Sequence, residues 1–463
     1  MQNLIINRSM SAPRRPKPTL RSYQWRLATL ISASLMSILT PGLQAEQAGY
    51  SFKAVAYLGG PAPGGGAFVN DFEPTRLNNR GQLAFTAEPD MPGEEAIFLA
   101  GAGTIQQIMR FGQSAPGGGV FSTFELGNIG LNDFGDAAFA FTLDPLDFGP
   151  PIHGGIYRWS HRTQTLSPVL VPNVTPDPSG GTFVGAHFNV SMNEPGTITF
   201  AGFVTNTPVG LNYGLFVQDH FGHIRSLVRP GDPAPDGGTF LSAGNPAVIN
   251  DLGDVVFEGQ TTVDATPDFH KIYIKRFATG GLELIPQPAG VINEASLWLN
   301  DFGQVVFGGT FNPVFGSGDG AVYLRSRGTT TVLAKVGDPA PGGGTFSFIT
   351  GVSIQGQNGL NNLGNVAFEA ATDTGDEAMY FYSGATKTLR RLAGVGTVLP
   401  GIGTIVSLEQ GGALIFPPPP TSGFPLSNVA LNDLNQVAFA ATVVNGTVTK
   451  GVLLLGTPAF LDP

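Results

Sequence analysis

The pattern Asn-x-x-Gly-x-x-(Ala/Val/Thr)-Phe occurs seven times and restricts this chain to a repeat architecture. Six copies begin at Asn78, Asn132, Asn193, Asn250, Asn300 and Asn361, with glycine three residues on and phenylalanine seven on. The seventh runs from Asn432 to Phe439 and has Asn435 in the glycine's place. Asparagine also tolerates the left-handed backbone region, so the exception fits a conformational requirement. Successive copies start 54, 61, 57, 50, 61 and 71 residues apart, a spacing that marks supersecondary units. Asn at one position and Gly three later signals a type I turn, with the Asn side chain bonding nearby amides. Beyond the turn, Val255 and Phe257 fall on one face and Val256 on the other. Both faces are apolar, so each such strand lies between two neighbours.

A second short apolar strand follows each motif, as at 96–99, 214–217 and 321–324, and a third follows at 105–109, 224–228 and 331–334. Next comes a Pro/Gly loop at 59–66, 114–119, 231–238 and 337–344, with weaker versions at 176–181, 286–290 and 396–403. A fourth strand then leads to the next Asn. Four strands per unit, seven units and no helical period predict an all-β fold, a seven-bladed β-propeller of four-stranded antiparallel blades. The units are 57–110, 111–170, 171–229, 230–285, 286–335, 336–392 and 393–456. The seventh stops after Leu455 without its last strand, while residues 50–56 directly precede a Pro/Gly loop. That N-terminal strand is expected to close the last blade and hide the edges of the ring, making 46–463 one propeller.

Alternating Asn-x-x-Gly-x-x-Ala-Phe and Gly-Asp-Pro-Ala-Pro-Gly-Gly-Gly-Thr-Phe motifs over residues 50–455 resemble the bacterial exported proteins described as NxxGxxAF tandem-repeat proteins with a choice of anchor. The resemblance implies bacterial export and a propeller-like repeat architecture, and no particular activity. Residues 457–463 depart from the C-terminal sorting segment of many members.

The other end of the chain is consistent with export. Residues 1–45 hold six basic groups and no acid, and an uncharged run from Leu27 to Leu43 precedes Ala45 and Glu46. A basic region, a short apolar stretch and a small residue describe a signal peptide, 1–45, cut after Ala45; the competing reading is an uncleaved membrane anchor, which the short, serine-interrupted stretch disfavours. The protein is therefore expected to be secreted, periplasmic or extracellular, with no membrane span after cleavage. Removing that segment leaves a net charge of −16 on the remainder, since the whole chain carries −10. So acidic a body repels phosphate backbones and excludes nucleic acid as a partner. Hydrophobic residues at 42%, with 34 Phe, exclude a disordered chain. There is no cysteine, which removes disulfides, thiolate metal sites and cysteine nucleophiles.

Chemistry is sparsely signalled. The Pro/Gly loops lack the Gly-Lys-Ser/Thr of a phosphate cradle and read as blade-to-blade crossovers. His220 and His223 flank a hairpin tip; His153, His161, His187 and His270 are scattered. No metal site, cofactor or catalytic residue is assigned. Acids in connecting segments, among them Asp71, Glu73, Glu125, Asp232 and Asp338, are possible contributors to a composite site, although Asp232 and Asp338 occupy equivalent positions, which favours turn chemistry. Four residues before the turn Asn, on the strand expected to be innermost, stand Asn128, Asn189 and Asn428, with Asn245 and Asn358 displaced by one. Converging amides there would offer a polar ring to a sugar or a hydrated ion; the plainer alternative is pairing with backbone or water. Residues 404–431 form the longest insertion and include four consecutive prolines at 417–420, a stiff segment.

Three functions remain open: a monomeric binding scaffold for a protein or glycan, which the lack of catalytic constellations favours; a polysaccharide hydrolase or lyase with channel-mouth carboxylates; and a structural protein of the envelope or matrix. Carboxylates gathered at the channel mouth would favour the enzyme.

Overall fold

The computed structural model describes residues 49–90, 95–122, 128–144, 154–204, 212–264, 271–289, 291, 293–310, 320–349, 359–408 and 429–459. The expected signal peptide, Glu125, His153, His270, Asn358, Asn428 and the prolines at 417–420 lie outside them. Among the described residues there is no α-helix, hence none long and apolar enough to cross a membrane.

The strands form the seven antiparallel blades of a β-propeller, as the motif spacing predicts. In blade one the order from the channel outward is Phe68–Leu77, Leu83–Pro89, Ala96–Gly101, Thr104–Arg110. Blades three to six keep this order behind inner strands Gly185–Met192, Phe240–Ile249, Asn293–Leu299 and Phe346–Ile349. Blade two has a short inner strand, Gly130–Leu131, and a separate pair, Val120–Phe121 with Leu143–Asp144. In blade seven two segments, Gly403–Ser407 and Ala430–Leu431, share the inner place by pairing with opposite ends of Val437–Asn445. Its outermost strand is Tyr50–Tyr57, antiparallel to Val448–Pro458 with Lys53 opposite Leu455. The N-terminal strand therefore closes the ring.

The motif Phe is buried in every blade, 3% exposed or less. Cross-strand pairing places an aromatic opposite it in six of them, as Phe85 opposite Phe98 and Phe257 opposite Tyr273. In these two pairs the rings stack, with centroids 5.3 and 5.7 Å apart, a geometry that adds to plain burial. The Phe that ends the Pro/Gly loop meets the second ring edge-on: Phe68 on Phe98 at 5.2 Å, Phe240 on Tyr273 at 5.0 Å. Blade seven has Leu454 opposite Phe439, and there Phe52 of the closing strand approaches Phe439 edge-on at 5.8 Å. Closure thus supplies the aromatic that the last blade lacks.

The Pro/Gly loops are the crossovers from one blade's outermost strand to the next blade's innermost. The loop at 59–66 is a nested turn, in which Phe68 N–H donates to Gly60, Gly59 N–H to Phe68, and Ala62 N–H to Gly66, and the loops at 114–119, 231–238 and 337–344 repeat it.

A candidate site at the turn end of the channel

Each inner strand ends in the motif turn. The glycine three residues after the Asn has φ between +71° and +83°, and Asn435 adopts +60°, the left-handed conformation that the sequence pattern requires. Asn78 Oδ1 accepts the N–H groups of Arg80 (3.1 Å) and Gln82 (2.8 Å), closing the turn. Its Nδ2 donates to the main-chain carbonyl of Asn132 in the next blade at 2.9 Å. The same bond runs from Asn193 to Asn250, Asn250 to Asn300, Asn300 to Asn361, Asn361 to Asn432, and Asn432 back to Asn78, all between 2.8 and 3.0 Å. Only an amide can do both jobs, because an aspartate has no donor. The motif asparagine is therefore a turn former and an inter-blade clamp at once.

The following residue builds a second ring. The main-chain N–H of Asn79 donates to Asp133 Oδ1 at 2.7 Å, that of Asp133 to the Glu194 carboxylate at 2.8 Å, and that of Glu194 to Asp251 at 2.8 Å. The main-chain N–H of Asp251 donates to the Asp301 side chain, that of Asp301 to Asn362, that of Asn362 to Asp433, and that of Asp433 to Asn79, at 2.7–2.9 Å. Five carboxylates and two amides thus form a closed circle in which every side chain accepts the backbone N–H of the preceding blade.

One cation lies within this circle. Arg76, two residues before Asn78, enters the channel and stacks over Trp298, 5.3 Å from the ring centroid. At the equivalent position the other blades carry Gly130, Ser191, Val248, Trp298, Gly359 and Ala430, so the charge is present once. Burial pulls its pKa down while the carboxylates of Glu194, Asp251, Asp433 and Asp133 oppose the shift. Arg76, the turn asparagines and the carboxylate circle line a cavity of about 80 Å³. Burial also moves Glu194 up to about 7, with the charges of Asp133 and Asp251 adding to the rise and its bond from Asp133 N–H and the charge of Arg76 opposing it.

A second group of acids occupies one face of blade one, away from this cavity. Asp71, Glu73, Glu88 and Glu95 project from the side that faces blade two. Thr86 hydroxyl donates to Glu73 at 3.4 Å and Asn70 to Glu88 at 3.2 Å. Glu95 is 7% exposed, and its Oε2 has no hydrogen-bond partner. Burial, then the charges of Glu73 and Glu88, push it to about 9; burial and Glu88 push Asp71 to about 6.

Residues 27–287 and 273–450 match the model of a family described as a family of unknown function, DUF7453. The chain belongs to that family. No curated protein sequence matches it. Among solved structures the DUF7453 chain is similar to TolB from Acinetobacter baumannii, 12% identical over 56% of this chain with a TM-score of 0.37, and it spans about half (52%) of that protein. It is similar to an oligogalacturonate lyase from Vibrio parahaemolyticus (11% identity, 88% of this chain and 97% of that one, TM-score 0.48). It is also similar to the β-propeller domain of the Trilobed protease from Pyrococcus furiosus (10% identity, 87% and 94%, TM-score 0.47).

Of the asparagines expected to ring the channel, Asn128 and Asn189 are described with their side chains, and neither lines the cavity. Asn189 is buried in the inner strand of blade three. Asn245 lies in that of blade four, its side chain outside the described set along with Asn358 and Asn428. Sequence reasoning missed Arg76 and the carboxylate circle, although the repeated Asn-Asp step was visible. Asp71 and Glu73, both named from sequence, come together on blade one, joined by Glu88 and Glu95. Asp232 serves its own turn, accepting Arg229 N–H at 2.8 Å. The His220–His223 tip is a turn held by Asp219, with the His223 side chain 81% exposed.

Proposed function

We propose that this propeller is an exported, non-catalytic scaffold, of the NxxGxxAF tandem-repeat kind, that binds a protein or glycan partner, and that its turn-side face receives a protein. The observation behind this reading is a set of exposed apolar side chains at the third motif position. Phe134, Leu252, Phe302, Leu363 and Leu434 are 62, 62, 77, 58 and 45% exposed. Single exposed apolar residues are ordinary; five at equivalent positions of the seven turns, around one channel end, are the composition of a docking patch. Folding does not call for them, since blades one and three place Arg80 and Pro195 there. Changing Phe134, Phe302 and Leu363 together to Ser should leave unfolding within roughly 0.5 kcal/mol per site. The same triple variant should lose protein captured from an extracellular or periplasmic extract. Capture unchanged in the variant, or a glycan array that binds both forms equally, would remove the docking face from the proposal. N-terminal sequencing of the exported protein tests cleavage after Ala45.

A second reading, a polysaccharide hydrolase or lyase, has one observation in its favour. On blade one Glu95, pushed by burial to about 9, stands near Asp71, which is raised only to about 6, the division of labour that glycoside hydrolysis uses. Release of reducing or unsaturated ends from a polysaccharide panel, abolished by Glu95→Gln, would support it; no release by the unaltered chain would end it.

A further inference from the structure

The circle of five carboxylates and two amides is satisfied on one side and open on the other. Asp433 Oδ2 accepts both Asn79 Nδ2 (3.1 Å) and Asn362 Nδ2 (3.0 Å), and Asp301 Oδ2 accepts Asn362 Nδ2 at 2.7 Å. On the opposite arc Asp133 and Asp251 each use only Oδ1, for the backbone of the preceding blade. Among the described residues no donor reaches their second oxygens, which flank Glu194 in the circle. Arg76 completes the asymmetry. Its guanidinium lines the cavity with no hydrogen bond or ion pair to any described residue, although four of the carboxylates surround it closely enough to act on its charge. The Arg76 guanidinium and the two acids with a free second oxygen, Asp133 and Asp251, therefore line the same space of about 80 Å³.

We infer that this cavity seats a small zwitterion of the α-amino acid class, its carboxylate on Arg76 and its ammonium on the arc of Asp133, Glu194 and Asp251. The charges select for it. A simple anion reaching Arg76 must pass a circle of like charge, and a simple cation must approach a fixed guanidinium. A neutral polyol satisfies donors and acceptors but pairs neither charge. The volume matches a few waters or one compact organic molecule. This inference is separate from the docking face, because Phe302 and its equivalents point to solvent and play no part in it.

Calorimetric titration of the full chain with glycine and with L-alanine tests it, with acetate, methylammonium and glycerol as half-ligands. The expected result is saturable binding of a zwitterion at millimolar concentration or below, with each half-ligand at least about tenfold weaker. Arg76→Met and the double variant Asp133→Asn/Asp251→Asn should each weaken binding at least about tenfold. The asparagines keep the Oδ1 acceptor, so the circle of backbone bonds persists in the double variant. Should Arg76→Met fail to fold by circular dichroism, the double variant decides. No saturable binding to the unaltered chain, a half-ligand binding as tightly as the zwitterion, or a folded variant binding like the parent each overturns the assignment, as does water as the only occupant.

Discussion

Blades one and four both bury acids at the end remote from the motif turns, and they treat them in opposite ways. In blade four, Lys271 Nζ stands 2.6 Å from Asp236 Oδ2 and 2.6 Å from Asp264 Oδ1. Thr261 and Tyr273 hydroxyls also donate to Asp236. Burial there would raise Asp236, but the lysine bond and charge override it and the pKa falls. Among the described residues of blade one no cation comes within ion-pair distance of Asp71, Glu73 or Glu95, and all three pKa values rise. The contrast teaches that burial alone does not set the state of these acids. A single ammonium decides whether the blade holds charge or holds protons.

The sharpest way to break the contrast is to take the ammonium away. Lys271→Met leaves two enclosed carboxylates unpaired and should cost about 3 kcal/mol at pH 7, measured by urea denaturation. An unaltered midpoint would mean that water already screens the pair. The two blades should also respond oppositely to pH. Asp236 has a lowered folded pKa, so its contribution is present above the usual aspartate value near 3.8 and is lost as pH falls. Glu95 has a raised one, so its contribution is full below about 4.5 and is lost as pH climbs towards about 9. Glu95→Gln should therefore stabilise the fold by ~2 kcal/mol at pH 8 and by almost nothing at pH 4. Equal effects at both pH values would show that Glu95 has the same pKa in the folded and unfolded chain.

These differences also mark where sequence reading stopped. The motif gave turn, strand and buried face at once, because Asn, Gly and Phe each have a local reason to be there, and residues 50–56 could be placed by counting strands. Asn189 and Asn245 stand on the inner strands expected for them, but their faces could not be counted, since counting back from the turn assumes unbroken alternation. The pairing slips between Ala186 and Val190 and again between Ala243 and Ala247, so the period of two fails where those asparagines stand. The second residue of the motif is one of its unspecified positions. Its role as acceptor for the neighbouring blade exists only once seven turns face one axis. Arg76 and Lys271 had no signal, because each is a single residue whose partners are far away in sequence.

The carboxylate circle gives the smallest effect and the finest test, since its members have donors, as in blade four, but crowd one another, as in blade one. Asp251 does two things: it accepts Glu194 N–H at 2.8 Å, and it adds negative charge beside Asp301 and Asp133. Burial first, then Asp301, raise its pKa against that backbone bond and Arg76. Asp251→Asn keeps the acceptor and removes the charge, so it should stabilise the protein by roughly 0.5 kcal/mol at low salt and less at high salt. It should also bring Glu194 down from about 7, readable by carboxyl carbon NMR titration. Asp251→Ala removes both and leaves Glu194 N–H without its partner, which should cost about 1 kcal/mol. If both variants shift stability in the same direction, charge and not the backbone bond governs that seat, and the circle is held by the asparagine clamps beneath it.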